Sequence, residues 1–211
     1  KELAKIQSVA LEKTGTITLG TPEVTDFDLL DQAHNDALVL SLASGIEQRS
    51  QHPLAAAIVR YARGKNITPV EVSNFQSVSA AGATALWNDK PLHIGSPRFF
   101  DQAMRTPIIA QKIEKWQGEG KTVVLFGDDK SILAIIAVGD RIRPDARSAI
   151  QTLRAAGIKN IVMLTGDNQQ TARAVAESIG VDDTKAELLP DDKARAVDEL
   201  RQRYGRVAMI G

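Results

Sequence analysis

Three positions far apart in this 211-residue chain carry side chains suited to phosphoryl transfer. Glu12 places a carboxylate directly after an apolar run, Thr165 places a hydroxyl after another, and Lys193 places a cation in a segment of helical pattern. Phosphoryl transfer needs an in-line acceptor and groups that neutralise the developing negative charge, which these side chains can supply. Taken singly, each has a common structural alternative, namely a loop glutamate, a helix-capping turn and a solvated lysine.

The elements predicted around these residues bring them together. Apolar runs of strand length alternate with amphipathic helical patterns. The strands are predicted at 6–11, 160–164 and 207–210, and the helices at 144–156, 169–179 and 191–204. This alternation favours the α/β class with a parallel, doubly wound sheet. Ligands of such sheets lie beyond the carboxyl ends of the strands, so we expect Glu12 and Thr165 to share one crevice.

The middle of the chain has a different organisation. Helices are predicted at 28–45 and 53–64, and strands at 70–78, 84–87, 92–95, 122–126 and 132–138. Hairpin-like turns at Asn88-Asp89 and Gly127-Asp128 indicate a largely antiparallel sheet. We therefore predict an inserted α+β domain at 20–136, and a discontinuous domain formed by 1–19 and 137–211.

The composition excludes several classes of partner and site. Lys and Arg number 26 against 26 Asp and Glu, so there is no bulk electrostatic reason to expect nucleic acid. Cysteine is absent, which excludes disulfides, thiolate metal sites and a cysteine nucleophile. Apolar runs stay short of the roughly 18 residues that a membrane span needs, so we expect this part of the protein to be soluble.

The residues from Glu12 to Thr18, Glu-Lys-Thr-Gly-Thr-Ile-Thr, resemble the phosphorylation signature of P-type ATPases, in which Asp stands first. Three later motifs are similar to those of the family and follow in the same order. They are Gly139-Asp140 with Arg143-Pro144, then Thr165-Gly-Asp-Asn168, then Pro190-Asp-Asp-Lys193. The resemblance covers nearly the whole chain and implies a haloacid-dehalogenase-like phosphorylation domain with an inserted nucleotide-binding domain.

The resemblance also implies a set of site residues. In the family, the first residue of the signature accepts the γ-phosphoryl group of ATP, and Mg²⁺ neutralises the phosphate oxygens. The catalytic positions carried over are Glu12, Lys13, Thr14, Asp140, Thr165, Gly166, Asp167 and Lys193. Glu12 and the backbone carbonyl of Thr14 are the implied Mg²⁺ ligands. An aspartate-rich loop that completes this site in the family follows residue 211, so we expect an incomplete, C-terminally truncated metal site.

Thr14 separates this interpretation from a soluble phosphatase of the same superfamily. Such phosphatases resemble one another in carrying Asp at this position as general acid and base. With threonine there, an aspartyl phosphate hydrolyses slowly, as a pump that holds its phosphoenzyme requires. The phosphatase remains the alternative enzymatic interpretation.

Glu12 departs from the family signature. Glutamate adds one methylene, and a misplacement of about 1 Å can cost roughly 100-fold in rate. We therefore expect no phosphorylation of this chain, whether the substitution is engineered or belongs to a natural inactive pump. A carboxylate that binds Mg²⁺ without being phosphorylated leaves a further hypothesis, a non-catalytic nucleotide-binding module.

Within the predicted insertion, Ser50-Gln-His52-Pro53 resembles the Ser-x-His-Pro element of the heavy-metal subclass. In that subclass this histidine and a glutamate three residues before the serine bind the adenine end of ATP, which implies His52 and Glu47. An imidazole can stack on adenine, and a carboxylate can accept its amine protons. Without the resemblance, a histidine before a proline is most often a capping or packing residue.

Two glycines complete the implied nucleotide site. A family Gly-x-Gly reads Ala80-Ala81-Gly82 here, which implies Gly82 in the site and altered affinity for ATP. Gly95 matches a further family position near the nucleotide. The structural alternative for Gly82 is an ordinary strand bulge.

The implied parent protein is a membrane pump that exports a heavy-metal ion at the expense of ATP. Its transmembrane and actuator domains would be partners of this chain, whose place is the cytoplasmic face of the membrane. The transported ion would bind outside this chain. The residues at 157–170 and 186–190 look closer to zinc, cadmium and cobalt exporters than to copper pumps.

Overall fold

The computed structural model describes residues 6–30 and 33–211. The sequence-based assignments that fall on residues 1–5 and 31–32 lie outside this range. The strands are β1 (Ser8–Glu12), β2 (Glu23–Leu29), β3 (Ser73–Val78), β4 (Gly82–Trp87), β5 (Lys90–Gly95), β6 (Thr122–Gly127), β7 (Ile132–Gly139), β8 (Asn160–Leu164), β9 (Asp183–Lys185) and β10 (Val207–Ile210). The helices are α1 (Asp36–Glu47), α2 (Pro53–Gly64), α3 (Pro107–Gly118), α4 (Ala146–Ala155), α5 (Gln169–Ile179) and α6 (Pro190–Tyr204).

The chain divides into two compact units. The first unit contains the described residues up to Thr21, then 117–120 and Asp140–Gly211. The second unit contains Pro22–Trp116 and Lys121–Gly139. Among the helices of the described residues, none is both long and apolar enough to cross a membrane.

The first unit is built on a parallel sheet of strand order β10-β1-β8-β9. Strand β1 is central and almost entirely buried, because helices cover both faces of the sheet. Val9 and Leu11 pack with α4 and α5 on one face, while Ala10 packs with α6 on the other. Burial on both faces explains why β1 is a continuous apolar run. The predicted parallel, doubly wound sheet is confirmed.

Capping side chains, a glycine and a proline set the ends of the helices after β8. The Asn168 side chain caps α5 by accepting from the backbone N–H groups of Gln170 and Thr171 at 3.0 Å. Gly180 ends that helix in the left-handed region, with φ of 83°. Pro190 opens α6, and the carboxylate of Asp192 accepts from the N–H of Leu189 at 3.0 Å. These caps fix the directions in which the two polar loops leave the sheet.

The second unit is an antiparallel sheet of order β2-β7-β6-β5-β4-β3. Helices α1 and α2 cover one face, and α3 covers the other. Asn88 and Asp89 both have positive φ, 50° and 60°, in the two-residue turn between β4 and β5. Such a turn matches the twist of the strands that it joins. The predicted hairpins and the inserted α+β architecture are confirmed.

The helix predicted at 28–45 is wrong at its start. Residues Glu23–Leu29 form β2 instead, paired with β7, and the helix begins at Asp36 behind the capping side chain of Asn35. Asp28 lies in the strand and forms an ion pair with Lys112 of α3. The pairing with β7 is a long-range contact that local pattern does not reveal.

Two further elements were not predicted from the sequence. Helix α3 buries Ile109, Ile113 and Trp116 on one stripe, a helical spacing that was present in the sequence. Strand β9 has three residues and no apolar run, so its sequence carried no comparable signal.

Gly82 and Gly95 lie opposite each other in β4 and β5. A Cβ on Gly82 would lie 2.1 Å from the carbonyl oxygen of Ile94, and one on Gly95 would lie 2.3 Å from that of Ala81. The ring of Phe99 lies over both glycines, 2.9 and 2.8 Å from the same Cβ positions. Glycine is therefore required here by the packing of this strand pair under an aromatic ring.

We expect Gly95→Ala to lower the free energy of unfolding of the second unit by about 1–3 kcal/mol, because its methyl group overlaps backbone. Both tryptophans, Trp87 and Trp116, lie in that unit, so urea unfolding followed by tryptophan fluorescence reports on it alone. Gly64→Ala, with no atom within 4 Å of its Cβ position, is the control and should leave stability equal or slightly higher. Equal stability of the Gly95 variant and the wild type would contradict the packing argument.

Candidate functional site

The carboxyl edge of the parallel sheet carries an ion pair between Glu12 and Lys193. Glu12 is the last residue of β1, and Lys193 lies in the first turn of α6. The Nζ of Lys193 is 2.8 Å from Oε2 of Glu12, and both side chains are about one quarter exposed. Two residues 181 positions apart therefore meet as predicted, with their charges open to a ligand.

A second ion pair lies beside the first. The Nζ of Lys13 is 2.5 Å from Oδ2 of Asp167, and both side chains are largely buried. The hydroxyl of Thr165 donates to the same carboxylate oxygen at 3.1 Å and accepts from the backbone N–H of Asp167. Thr165 is itself only 3% exposed. Two ammonium groups and two carboxylates thus form two ion pairs at this edge.

The loop before α6 holds the 165–167 turn from behind. The N–H of Leu188 donates to the carbonyl oxygen of Thr165 at 3.1 Å, and the N–H of Glu187 donates to that of Asp167 at 2.7 Å. A Cβ on Gly166 would lie 3.3 Å from the carbonyl oxygen of Leu188, so a larger residue would crowd this contact. The turn is rigid because backbone bonds hold both its ends.

A tight turn of π-helical type follows Glu12, over Lys13–Ile17. It closes with a bond of 3.0 Å from the N–H of Thr18 to the carbonyl oxygen of Lys13. Gly15 adopts φ of 80°, a conformation that favours glycine. The side chain of Thr14 is exposed and offers no carboxyl group at the general-acid position of the phosphatases.

Asp140 does not join the Glu12 and Lys193 cluster. Its carboxylate accepts from the hydroxyl of Thr18 at 2.5 Å and from the N–H of Thr21 at 3.2 Å. Asp140 therefore anchors the far end of the acceptor segment. Sequence reasoning gave no role to Arg143, whose guanidinium donates to the carbonyl oxygens of Gly15 and Thr16. Its only sequence signal was its place beside Pro144 in the second motif.

In the second unit, the segment from Glu47 to Pro53 forms a compact connection between α1 and α2. The N–H of Ser50 donates to the carbonyl oxygen of Glu47 at 3.0 Å, and the hydroxyl of Ser50 accepts from the N–H of His52 at 3.2 Å. The Nδ1 of His52 accepts from the N–H of Leu54 at 3.2 Å, which caps α2 before Pro53. His52 is therefore a helix cap. Because its Nδ1 accepts a hydrogen bond, the neutral ring carries its proton on Nε2.

Glu47 ends α1 close to that connection. Burial raises the pKa of its carboxyl group to about 7, because the charged form loses hydration there. A buried carboxyl group whose pKa is raised in this way is a candidate for a ligand site.

Gly82 and Gly95 belong to the same unit, but their bare faces are covered by Phe99. The presence of glycine at these two positions is therefore explained by packing, without a ligand. Ala80, at the first position of the family Gly-x-Gly, adopts φ of 57°, which costs a non-glycine residue roughly 1–2 kcal/mol. The backbone keeps the shape that glycine would allow even though alanine stands there.

The donors for a metal ion are few. Among residues 6–30 and 33–211, no three His, Asp or Glu side chains cluster to hold one. Glu12 and the carbonyl oxygen of Thr14 are hard oxygen donors, which suits Mg²⁺, since this ion commonly takes one or two protein ligands and completes its shell with water and phosphate.

Comparison with known proteins identifies the family. A family model described as haloacid dehalogenase-like hydrolase matches residues 6–211. The chain belongs to this family. A probable cadmium-transporting ATPase of Alkalihalophilus pseudofirmus is 40% identical over all of this chain, which covers 30% of that relative.

This member of the haloacid dehalogenase-like hydrolases is also similar to two solved structures. The catalytic domain of the CPx-ATPase CopB-B matches with a TM-score of 0.74 and 26% identity, over all of this chain and 72% of that one. A zinc-transporting PIB-type ATPase in the E2.Pi state matches with a TM-score of 0.65 and 36% identity, over all of this chain and 34% of that one. The predicted resemblance to heavy-metal P-type ATPases is confirmed. The chain spans 30% of the cadmium-transporting relative and 34% of the zinc-transporting one, and the roles of individual residues stay predictions.

We expect the stability of the second unit to fall as pH rises, because Glu47 binds its proton more tightly when folded. Its ordinary pKa is 4.5 and its folded pKa about 7, so its stabilising share is complete below pH 4.5 and is lost as pH rises through 7. Between pH 5 and 8 the wild type should lose about 2–3 kcal/mol more than Glu47→Gln. Urea unfolding by tryptophan fluorescence measures this difference. Glu71→Gln, at an exposed glutamate of the same unit, should behave as the wild type.

Proposed function

We propose that this chain is the ATP-binding and phosphorylation part of a heavy-metal cation pump. The proposal rests chiefly on Glu12, which stands at the acceptor position of β1 within 2.8 Å of the Lys193 ammonium group. The relatives that cover the whole chain are transporting ATPases, which supports the same function. With Asp at position 12, as in the family signature, the first unit would accept the phosphoryl group, and the second would bind the nucleotide.

The charges at the sheet edge suit each step of phosphoryl transfer. Lys193 is partly exposed and free to exchange its carboxylate partner for phosphate oxygens. The Thr165 hydroxyl and the Lys13 ammonium group both bond to the Asp167 carboxylate, which stiffens the edge. Mg²⁺, held by position 12 and the Thr14 carbonyl, would neutralise the phosphate oxygens. Fixed dipoles and charges of this kind act where charge develops in the transition state.

With Glu12 in place, transfer itself should be blocked. The Glu12 carboxylate pairs with Lys193, a cation that a phosphate would need. Its additional methylene also displaces the attacking oxygen from the family position, and a displacement of about 1 Å can cost roughly 100-fold in rate. This favours a second candidate function for the chain as it stands, a nucleotide-binding module without turnover. The phosphatase alternative is weakened by Thr14, which cannot protonate a leaving group.

The nucleotide would bind in the second unit through Glu47, Ser50, His52 and Pro53, with Gly82 and Gly95 nearby. The His52 ring is oriented by its bond to Leu54, so stacking on adenine needs no further ordering. A Glu47 carboxyl group can accept from the adenine amine when ionised. The cap and the turn around Ser50 therefore preorganise the recognition side chains.

The transported ion would bind outside this chain. The sequence has no cysteine, and the described residues form no cluster of metal-ligating side chains. We propose a location on the cytoplasmic face of the membrane, with transmembrane and actuator domains of the same polypeptide as partners. Two of the relatives named above are described as cadmium-transporting and zinc-transporting, which supports zinc or cadmium as the class of ion.

Nucleotide binding can be separated from helix capping at His52. Titration calorimetry with Mg-ATP should show saturable binding that His52→Ala and His52→Asn both reduce at least about tenfold, which is 1.4 kcal/mol. Asparagine retains a capping oxygen but no ring, so equal losses assign the effect to the ring. Asn35→Ala removes the cap of α1 and is the control for loss of a cap alone. Recovery of affinity in His52→Asn would leave His52 as a cap only.

Phosphoryl transfer is expected in Glu12→Asp and absent in the wild type, both tested in a polypeptide that carries the aspartate-rich loop expected after residue 211. The shorter side chain returns the attacking oxygen to the acceptor position of the family. After mixing with radiolabelled Mg-ATP, protein-bound label that is acid-stable and released by hydroxylamine would identify an acyl phosphate. A second substitution, Lys193→Ala, should abolish it. Label on the wild type, or none on Glu12→Asp, would contradict the proposed role of position 12.

A further inference from the structure

The segment from Asp140 to Arg143 runs beside the acceptor turn of the first unit. Ile142 forms an antiparallel bridge with Thr18. On either side of it, the N–H of Leu19 donates to the carbonyl oxygen of Arg141, and the N–H of Arg143 donates to that of Ile17, both at 2.9 Å. Two stretches more than 120 positions apart are therefore joined by a short ladder that lies outside the parallel sheet.

The Arg143 guanidinium donates two hydrogen bonds to the turn itself. Its Nε donates to the carbonyl oxygen of Thr16 and its Nη2 to that of Gly15, both at 3.1 Å. The guanidinium is planar, so these two bonds fix two successive peptide groups relative to each other. A lysine in this position has one compact ammonium group and cannot reproduce the fork.

The Asp140 carboxylate holds the opposite end of the turn. It accepts from the Thr18 hydroxyl, whose oxygen also accepts from the N–H of Gly15 at 3.2 Å. The N–H of Gly15 and its carbonyl oxygen are thus both engaged, one through Thr18 and the other through Arg143. Because glycine otherwise has wide conformational freedom, these bonds hold Gly15 at its φ of 80°.

The orientation of Gly15 determines where its neighbours point. The peptide between Thr14 and Gly15 carries the Thr14 carbonyl oxygen, and the same turn directs Lys13 to Asp167. A change of turn geometry would move both groups relative to position 12. Displacements of about 1 Å at a reacting centre can cost roughly 100-fold in rate.

We propose that Arg143 is a positioning residue for phosphoryl transfer, which acts by clamping the Gly15 and Thr16 carbonyl oxygens while Asp140 anchors Thr18. The clamp is a property of the first unit alone. Its catalytic consequence rests on the proposed function. Arg143 touches no reacting atom and acts through the backbone of the acceptor turn.

Hydrogen exchange measured by NMR tests the clamp without any ligand. Arg143→Ala should accelerate exchange of the Gly15 and Thr18 amides about tenfold, and Arg143→Lys should do so nearly as much. Amides of β1 should not change. Arg147→Ala, at an exposed arginine in the first turn of α4, is the matched control. Unchanged exchange at Gly15 and Thr18 in Arg143→Ala would overturn the clamp.

Phosphorylation tests the positioning role in the Glu12→Asp background, again in a polypeptide that carries the aspartate-rich loop expected after residue 211. Adding Arg143→Ala should slow labelling by about 10- to 100-fold at saturating Mg-ATP, with the half-saturating ATP concentration unchanged. Guanidinium ion should restore part of the rate in Arg143→Ala and none in Arg143→Lys, whose side chain fills the space. Faster amide exchange with an unchanged rate would make Arg143 structural only. Failure of Glu12→Asp to become labelled would overturn the proposed function and this catalytic role, while the exchange data still decide the clamp.

Discussion

Parallel pairing of β1 with β8 and β10 is the constraint on which the site of the first unit depends. In register, Glu12 lies opposite Leu164, the residue just before Thr165. Because neighbouring parallel strands end at the same edge, the acceptor position and the 165–167 turn meet there without further adjustment. Helix α6 enters the same edge behind Pro190 and carries Lys193 to Glu12. The sheet thus brings together groups that the chain keeps more than 150 residues apart.

The electrostatics of this edge follow from that meeting. Four charges neutralise one another in two ion pairs, so Lys13 can remain buried without an unpaired charge. The Glu12 and Lys193 pair is more exposed, and water screens it. The buried pair therefore suits a structural role, and the exposed pair suits exchange with a ligand. Arg143 adds rigidity from outside the sheet, because it binds the carbonyl oxygens of Gly15 and Thr16 in the turn after β1.

The candidate site of the second unit lies where α1 ends and α2 begins. Glu47 closes α1 and His52 opens α2, so one short connection presents both side chains. Burial raises the pKa of the Glu47 carboxyl group toward neutrality and destabilises its charged form. Ionisation of Glu47 therefore weakens the folded state as pH rises through 7. The glycine pair under Phe99 shows the opposite case, in which packing alone explains the residues.

The sequence by itself determined the class of the fold, the two organisations along the chain and most of the candidate site. Apolar runs, caps and turn residues are local signals, and Asn88-Asp89, Asn168 and Gly180 act in the structure as their chemistry predicts. Family motifs supplied Glu12, Lys193 and His52 in advance.

Tertiary structure decided the rest. Strand β2 was not predicted and extends through Leu29 into the range predicted as helix, because β7 offered it a partner. The placing of Asp140 away from Lys193, and the grip of Arg143 on Gly15, depend on contacts between distant segments. Such contacts arise from the register of the folded chain and leave no local pattern in the sequence.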